Sequence, residues 1–154
     1  MQFYPCNRTP QYLIDYAEFA AAYLGLDKLR GDINIRVVPT VKDCHGICYG
    51  DDRECDVYVA NQLFGESVSR EDKMKTIGHE LTHARQFLRR DLGEDVKQGE
   101  AMWLGKPYKY KPGYEDESPW ELEAIECEER IWHLWKLAKK TGSVATERFR
   151  GIPI

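Results

Sequence analysis

The sequence predicts a single α+β domain spanning residues 1–154, and three observations predict it. Short β-branched segments follow one another between Ile33 and Ala60, two long amphipathic helical patterns come after them, and 154 residues is the size of one domain able to bury its own core. Tight connections between the short segments favour a small, mostly antiparallel sheet.

The first helix is expected over residues 9–24. Leu13, Ala17, Ala20, Ala21 and Leu24 recur at helical spacing, Thr9 serves as cap, Pro10 suits the first turn and Gly25 supplies a stop. Residues 33–38 (Ile-Asn-Ile-Arg-Val-Val) alternate and are closed by Pro39, so they predict a strand. Residues 46–49 form a second short strand that turns at Gly50-Asp51-Asp52, and residues 55–60 form a third. From Ser69, which has an acid at its third following position in Asp72, a long helix begins. Met74, Ile77, Leu81, Ala84 and Leu88 make its apolar stripe, and it is expected to end near Gly93. Residues 94–116, with Gly99, Gly105, Pro107, Pro112 and Gly113, predict a long loop. A further helix starts at Ser118-Pro119-Trp120 and runs to about Lys140, with Gly142 as its stop. Residues 146–154 show no pattern.

Composition excludes several classes. Hydrophobic residues make up 42%, charged ones 31% and aromatic ones 12%, which rules out long disorder and collagen-like repeats. No apolar run approaches the roughly 18 residues of a membrane span, and the N-terminal residues lack the pattern of a signal peptide. The 22 basic residues against 26 acidic ones leave a net charge of −4, where a binder of phosphate backbones carries a basic surplus. Five cysteines (Cys6, Cys44, Cys48, Cys55, Cys127), an odd number, point to reduced thiols in a cytoplasmic setting.

The chemistry is concentrated in His79-Glu80-Leu81-Thr82-His83. On a helix, residues i and i+4 share a face, so both imidazoles can reach one tetrahedral metal while Glu80 addresses a water beside it. At 100° per residue, His79 and His83 fall nearly opposite the stripe of Met74, Ile77 and Leu81, away from the expected core. A catalytic zinc takes three protein ligands and leaves one position open, so a third ligand is expected from the helix that begins at Ser118. Glu121 and Glu128 stand in the middle of its apolar side with Ala124, Ile125, Ile131, Trp132 and Trp135, whereas Glu123, Glu126 and Glu129 fall off it. A carboxylate in an apolar stripe is costly unless paired, and a metal would remove that cost. Glu121 also completes a capping box with Ser118. If capping is its whole role, Glu128 becomes the third ligand, or Glu123 does through a distorted first turn; otherwise Glu128 accepts a hydrogen bond from a ligating histidine.

His79-Glu80-Leu81-Thr82-His83-Ala84-Arg85-Gln86, preceded by Met74-Lys75-Thr76-Ile77 and followed by Trp103, Gly105 and Pro119-Trp120-Glu121-Leu122-Glu123-Ala124, resembles small phage-encoded zinc metallopeptidases. More distantly it is similar to gluzincins, including the ImmA/IrrE-like group. The resemblance covers residues 33–138. It implies a minimal zincin fold, a twisted sheet packed on the His79–His83 helix with a second, C-terminal ligand helix. It further implies one Zn²⁺ held by His79, His83 and Glu121, Glu80 as the base of peptide-bond hydrolysis, and an edge strand along the cleft, for which residues 55–60 are the candidate. Where such peptidases carry Asp or Asn directly after that Ala, this chain has Ile125, and Glu128 is the expected substitute. An oxyanion donor would come from Tyr108, Tyr110, Tyr114 or His133, although tyrosines in such a loop more often serve packing. The implied partner is a protein or peptide substrate, with no membrane or nucleic acid, in the host cytoplasm or a virion; the sequence does not indicate an oligomeric state. The alternatives are a non-catalytic zincin-fold structural or interaction protein of a phage, and a SprT-like protease acting on DNA-bound protein. The acidic balance and the lack of a third ligand histidine or a zinc ribbon count against the latter.

Other signals read as structure. The Cys44, His45, Cys48 and Cys55 spacing does not match a structural zinc site and suits half-buried strand thiols. Trp120, Trp132 and Trp135 are expected in the core. The acidic run 115–129 and the basic runs 85–90 and 136–140 are solvated faces or a contact between helices.

Overall fold

The computed structural model describes residues 2–6, 8–93, 100–110 and 115–141. Elements follow in the order β1 (Gln2–Pro5), α1 (Gln11–Leu24), β2 (Asp32–Val38), β3 (Gly46–Gly50), β4 (Glu54–Ala60), β5 (Gln62–Leu63), β6 (Glu66–Ser67), α2 (Arg70–Leu88), β7 (Leu92–Gly93), β8 (Glu100–Trp103), β9 (Lys106–Lys109) and α3 (Pro119–Lys140). The fold is α+β, with α2 packed on the main sheet and α3 packed on α2.

The principal sheet has strand order β1-β2-β4-β3 and corrects two expectations. It is not mostly antiparallel: β1 pairs with β2 in parallel, as does β2 with β4, and only β3 runs against β4. The parallel pairing arises because α1 carries the chain back from β1 to β2, and because β4 inserts between β2 and β3 instead of following β3 outward. β1, a segment of Gln, Phe, Tyr and Pro with no β-branched residue, escapes the sequence pattern. Nor is the 55–60 segment an edge. Cys55, Val57, Val59 and Ala60 are buried, as a central strand requires, and the edges are β1 and β3, with β3 the one beside β4. The β3–β4 turn is held by Asp51, whose carboxylate accepts from the N–H groups of Arg53 (2.8 Å) and Glu54 (2.9 Å). Those two bonds hold its pKa below the usual carboxylate value.

Helix ends follow local chemistry, with departures. Gly25 ends α1 in the left-handed region at φ 69°, as expected, but Pro10 takes the N-cap position and Thr9 does not cap. Ser69 caps α2 by accepting from the Asp72 N–H at 3.1 Å. This helix ends at Leu88, well before Gly93. Arg90 adopts φ 64°, its N–H meets Phe87 O (3.0 Å), and the Asp91 N–H meets Gln86 O (2.9 Å), a Schellman closure without glycine. Gly93 lies in β7 instead. Part of the expected 94–116 loop is the β8–β9 hairpin, turning at Leu104-Gly105 (φ 52° and 82°). Its alternation is hidden by lysine, proline and glycine. Gly99, Pro112, Gly113, Tyr114, Gly142 and residues 146–154 lie outside the described residues.

The core gathers around α2. Its stripe of Met74, Ile77, Leu81, Ala84 and Leu88 is buried against the sheet and α1, with Ile33, Ile35, Val57, Leu13 and Tyr16. α3 covers the other side, bringing Trp120, Cys127 and Ile131. Consequently every residue from Thr76 to Leu88 except His79 is buried. The two-faced helix of the sequence reading is covered all round. Trp132 and Trp135 are half-buried and pack on the core, with Tyr16 5.1 Å from the Trp135 ring, whereas Ile125, expected on the buried side, is exposed. Among the described residues no helix is long and apolar enough to cross a membrane.

Candidate metal centre

The histidines stand one turn apart on α2, ring centroids 5.0 Å apart. α3 lies antiparallel across them, and its first turn delivers Glu121. Ser118 Oγ accepts from the Glu121 N–H at 3.4 Å, so half of the capping box exists. The Glu121 carboxylate does not fold back to complete it. Its Oε1 lies 2.6 Å from His83 Nε2 and its Oε2 3.3 Å from His79 Nε2. The other ring nitrogens are also engaged: His79 Nδ1 is 3.0 Å from Glu128 Oε1, and His83 Nδ1 is 2.8 Å from Gln86 Oε1. Both Nε2 atoms therefore converge on one carboxylate, and ligand atoms of His79, His83 and Glu121 all lie within 4.8 Å of one another. These three residues form a group that could hold a metal ion.

Electrostatics test the fit. Burial disfavours charge on His79, but its bonds to Glu121 and Glu128 outweigh that and hold its pKa up at about 10. Burial likewise opposes charge on His83 and is outweighed by Glu121 and the nearby Glu80. Glu121, despite burial, is drawn down to about 2 by the two imidazoles. The cluster is thus the proton-filled form of an N, N, O donor set, and a divalent cation can replace those protons. The residues fit the group.

Glu80 is 6% exposed, and burial raises its pKa, with His83 and His79 pulling the other way. It lies on an open cleft of about 490 Å³ with His79, Glu121 and Glu128 on one side and His45 and Gly46 on the other. The β3 end presses close here: a Cβ built on Gly46 would sit 2.5 Å from Thr76 Cγ2, 2.7 Å from Tyr58 O and 3.4 Å from Glu80 Cγ. A Gly46→Ala change is expected to cost about 1–3 kcal/mol through this overpacking. Urea denaturation of the variant measures it, and unaltered stability would show that the strand yields freely.

Among the alternatives to Glu121 as third ligand, Glu123 turns away to Gln86 Nε2 (3.0 Å) and Arg85 (3.5 Å), and Glu128 faces the far nitrogen of His79. Tyr108 and Tyr110 do not line the cleft. They pack on Trp120, with centroids 5.2 and 5.9 Å away. His133 is exposed in a separate shallow depression with Tyr23 and Arg130. Cys44, His45 and Lys75, none singled out for the cleft from sequence, do line it. A tight turn brings the first two there, with Lys42 and Asp43 at φ 27° and 59° and the Cys44 N–H on Val41 O at 2.7 Å. Its only sequence signal was the Asp43-Cys44-His45 run. Among the described residues, no second group of three metal-ligating side chains accompanies it. Cys48 is half-buried and Cys55 buried, and Cys44 is exposed. The acidic and basic runs do meet, at Arg85 and Glu123.

Fold and site together define a small α+β domain in which two helices assemble a bis-histidine, single-carboxylate group beside a cleft that His79 and Glu121 line. The chain matches no protein-family model, no curated protein and no solved structure.

Proposed function

We propose that the protein is a zinc-dependent metallopeptidase, with His79, His83 and Glu121 as ligands and Glu80 as general base. The observation that carries this reading is the convergence of two Nε2 atoms and a carboxylate beside a buried glutamate, with His79, Glu80 and Glu121 lining one open cleft. Zinc in such a donor set supplies Lewis-acid polarisation of a carbonyl and a water acidified to a pKa near 7. Glu80 accepts a proton from the water attacking the peptide carbonyl and returns it to the departing amine. Its raised pKa suits a group that must both take and give a proton near neutrality. Glu128 and Gln86 hold the imidazoles in orientation. The exposed edge beside the cleft is β3, so an extended peptide would add to it rather than to β4. The five free cysteines support a reducing, cytoplasmic setting.

Metal analysis of purified protein is the direct test. One zinc per chain is expected, lost in His79→Ala. Hydrolysis of a peptide library is expected to stop with chelator and return with added zinc. Wild-type protein without stoichiometric zinc, or hydrolysis indifferent to chelation, would sink the reading.

A further inference from the structure

Gln86 is fully buried on α2, one turn beyond His83, and its carboxamide makes three contacts. Oε1 lies 2.8 Å from His83 Nδ1, while Nε2 donates to Trp120 O at 3.0 Å and to Glu123 Oε1 at 3.0 Å. The last two partners settle which way the amide faces. A backbone carbonyl and a carboxylate have no proton to give, so both must be served by the NH₂ group. A flipped amide would put its oxygen against two acceptors in a buried space and leave its donors facing the histidine. With the NH₂ committed to α3, the oxygen must face His83, and His83 Nδ1 must carry the proton. Its Nε2 is then the atom left to bind a metal, and it already points at Glu121.

We infer that Gln86 is a positioning residue that presets His83 for metal binding through a relay from the first turn of α3, Trp120 O and Glu123 to Gln86 to His83 Nδ1–H. The inference rests on the metallopeptidase reading and adds a coupling to it. The segment that supplies Glu121 also dictates, through Gln86, which nitrogen of His83 is free. Ligand and ligand orientation are therefore set by the same turn, Pro119 to Glu123. The two histidines also differ in their support, a carboxylate behind His79 and a neutral amide behind His83.

The test uses full-length protein and zinc alone as probe. In metal-free wild type, both Gln86 carboxamide protons are expected to resist exchange with solvent in ¹⁵N NMR, because Gln86 is itself fully buried and donates one proton to a buried carbonyl and the other to a half-buried carboxylate. In the zinc-loaded protein, His83 is expected to show a slowly exchanging Nδ1–H. Gln86→Met, close in volume, is expected to weaken zinc binding by about 10–100-fold. Gln86→Glu retains an oxygen for His83 but not the amide donors, so it is expected to bind zinc within a few-fold of wild type while being no more stable than Gln86→Met. A merely structural role would instead make affinity follow stability across the two variants. Rapid exchange of the carboxamide protons, or wild-type zinc affinity in Gln86→Met, overturns the relay. Absence of zinc binding in wild type would fell the metallopeptidase reading instead, and the metal-free exchange measurement still decides whether Gln86 is committed to α3.

Discussion

Glu80→Gln is expected to lower peptide hydrolysis by about 10²–10⁴-fold, the range for removing a positioned general base, with zinc stoichiometry unchanged. The amide has the carboxylate's shape but cannot take a proton from water. Folding should tolerate the change, because Glu80 is buried and burial already disfavours its charge. Its bonding role is also small, since the hydrogen bonds around the two imidazoles come from Glu121, Glu128 and Gln86. The checks are kcat/KM on a peptide substrate, zinc content and a thermal melt on the same preparation. A variant that binds zinc, melts like wild type and retains activity within a few-fold would remove Glu80 from the mechanism. If neither wild type nor variant turns over any peptide while both hold zinc, the non-catalytic zincin-like module becomes the better description.

Glu121→Ala is expected to weaken metal binding by more than the 10–100-fold that loss of a supporting partner costs, because it removes a proposed ligand itself. The same change has a signature without metal. In the metal-free protein the His79 pKa is about 10 against an ordinary 6.5, so its pairing contributes stability that is complete below about 6.5 and is lost as pH rises through about 10. Glu121 sits at about 2 against an ordinary 4.5, so its contribution is present above about 4.5 and lost as pH falls through about 2. The two overlap between pH 4.5 and 6.5. Urea denaturation in chelator should place the greatest stability difference between wild type and Glu121→Ala in that window. A difference independent of pH would mean that Glu121 acts by packing or capping alone. Glu123→Ala, whose carboxylate faces Gln86 and Arg85, is the control that should retain zinc more nearly than Glu121→Ala.

Local elements were largely legible. The strands at 32–38, 46–50 and 54–60 and all three helices follow from alternation, helical periodicity and the caps at Ser69 and Ser118. The misses have physical causes. β1 has too few β-branched residues to register as a strand, the β8–β9 hairpin is masked by turn-forming composition, and α2 ends on a left-handed Arg90 where glycine is the usual signal. The site was legible to the same degree. Helical spacing put His79 and His83 on one face, and angular position kept Glu121 and Glu128 as candidates for a ligand and its support. Which of them faces both Nε2 atoms depended on how α3 crosses α2, which no periodicity encodes.

Chain order and local propensity thus dictate which segments are helix or strand, and that two imidazoles and a glutamate repeat along one helix. Tertiary structure alone decides three further matters. β4 is interior and β3 an edge, because pairing depends on where the β1–α1–β2 crossover leaves room. Glu121 rather than Glu123 or Glu128 faces both Nε2 atoms, because the antiparallel docking of α3 brings its first turn, not its second, over His83. Gln86, an unremarkable amide in the sequence, becomes a link from α3 to His83, because burial leaves its donors no partners except those α3 provides.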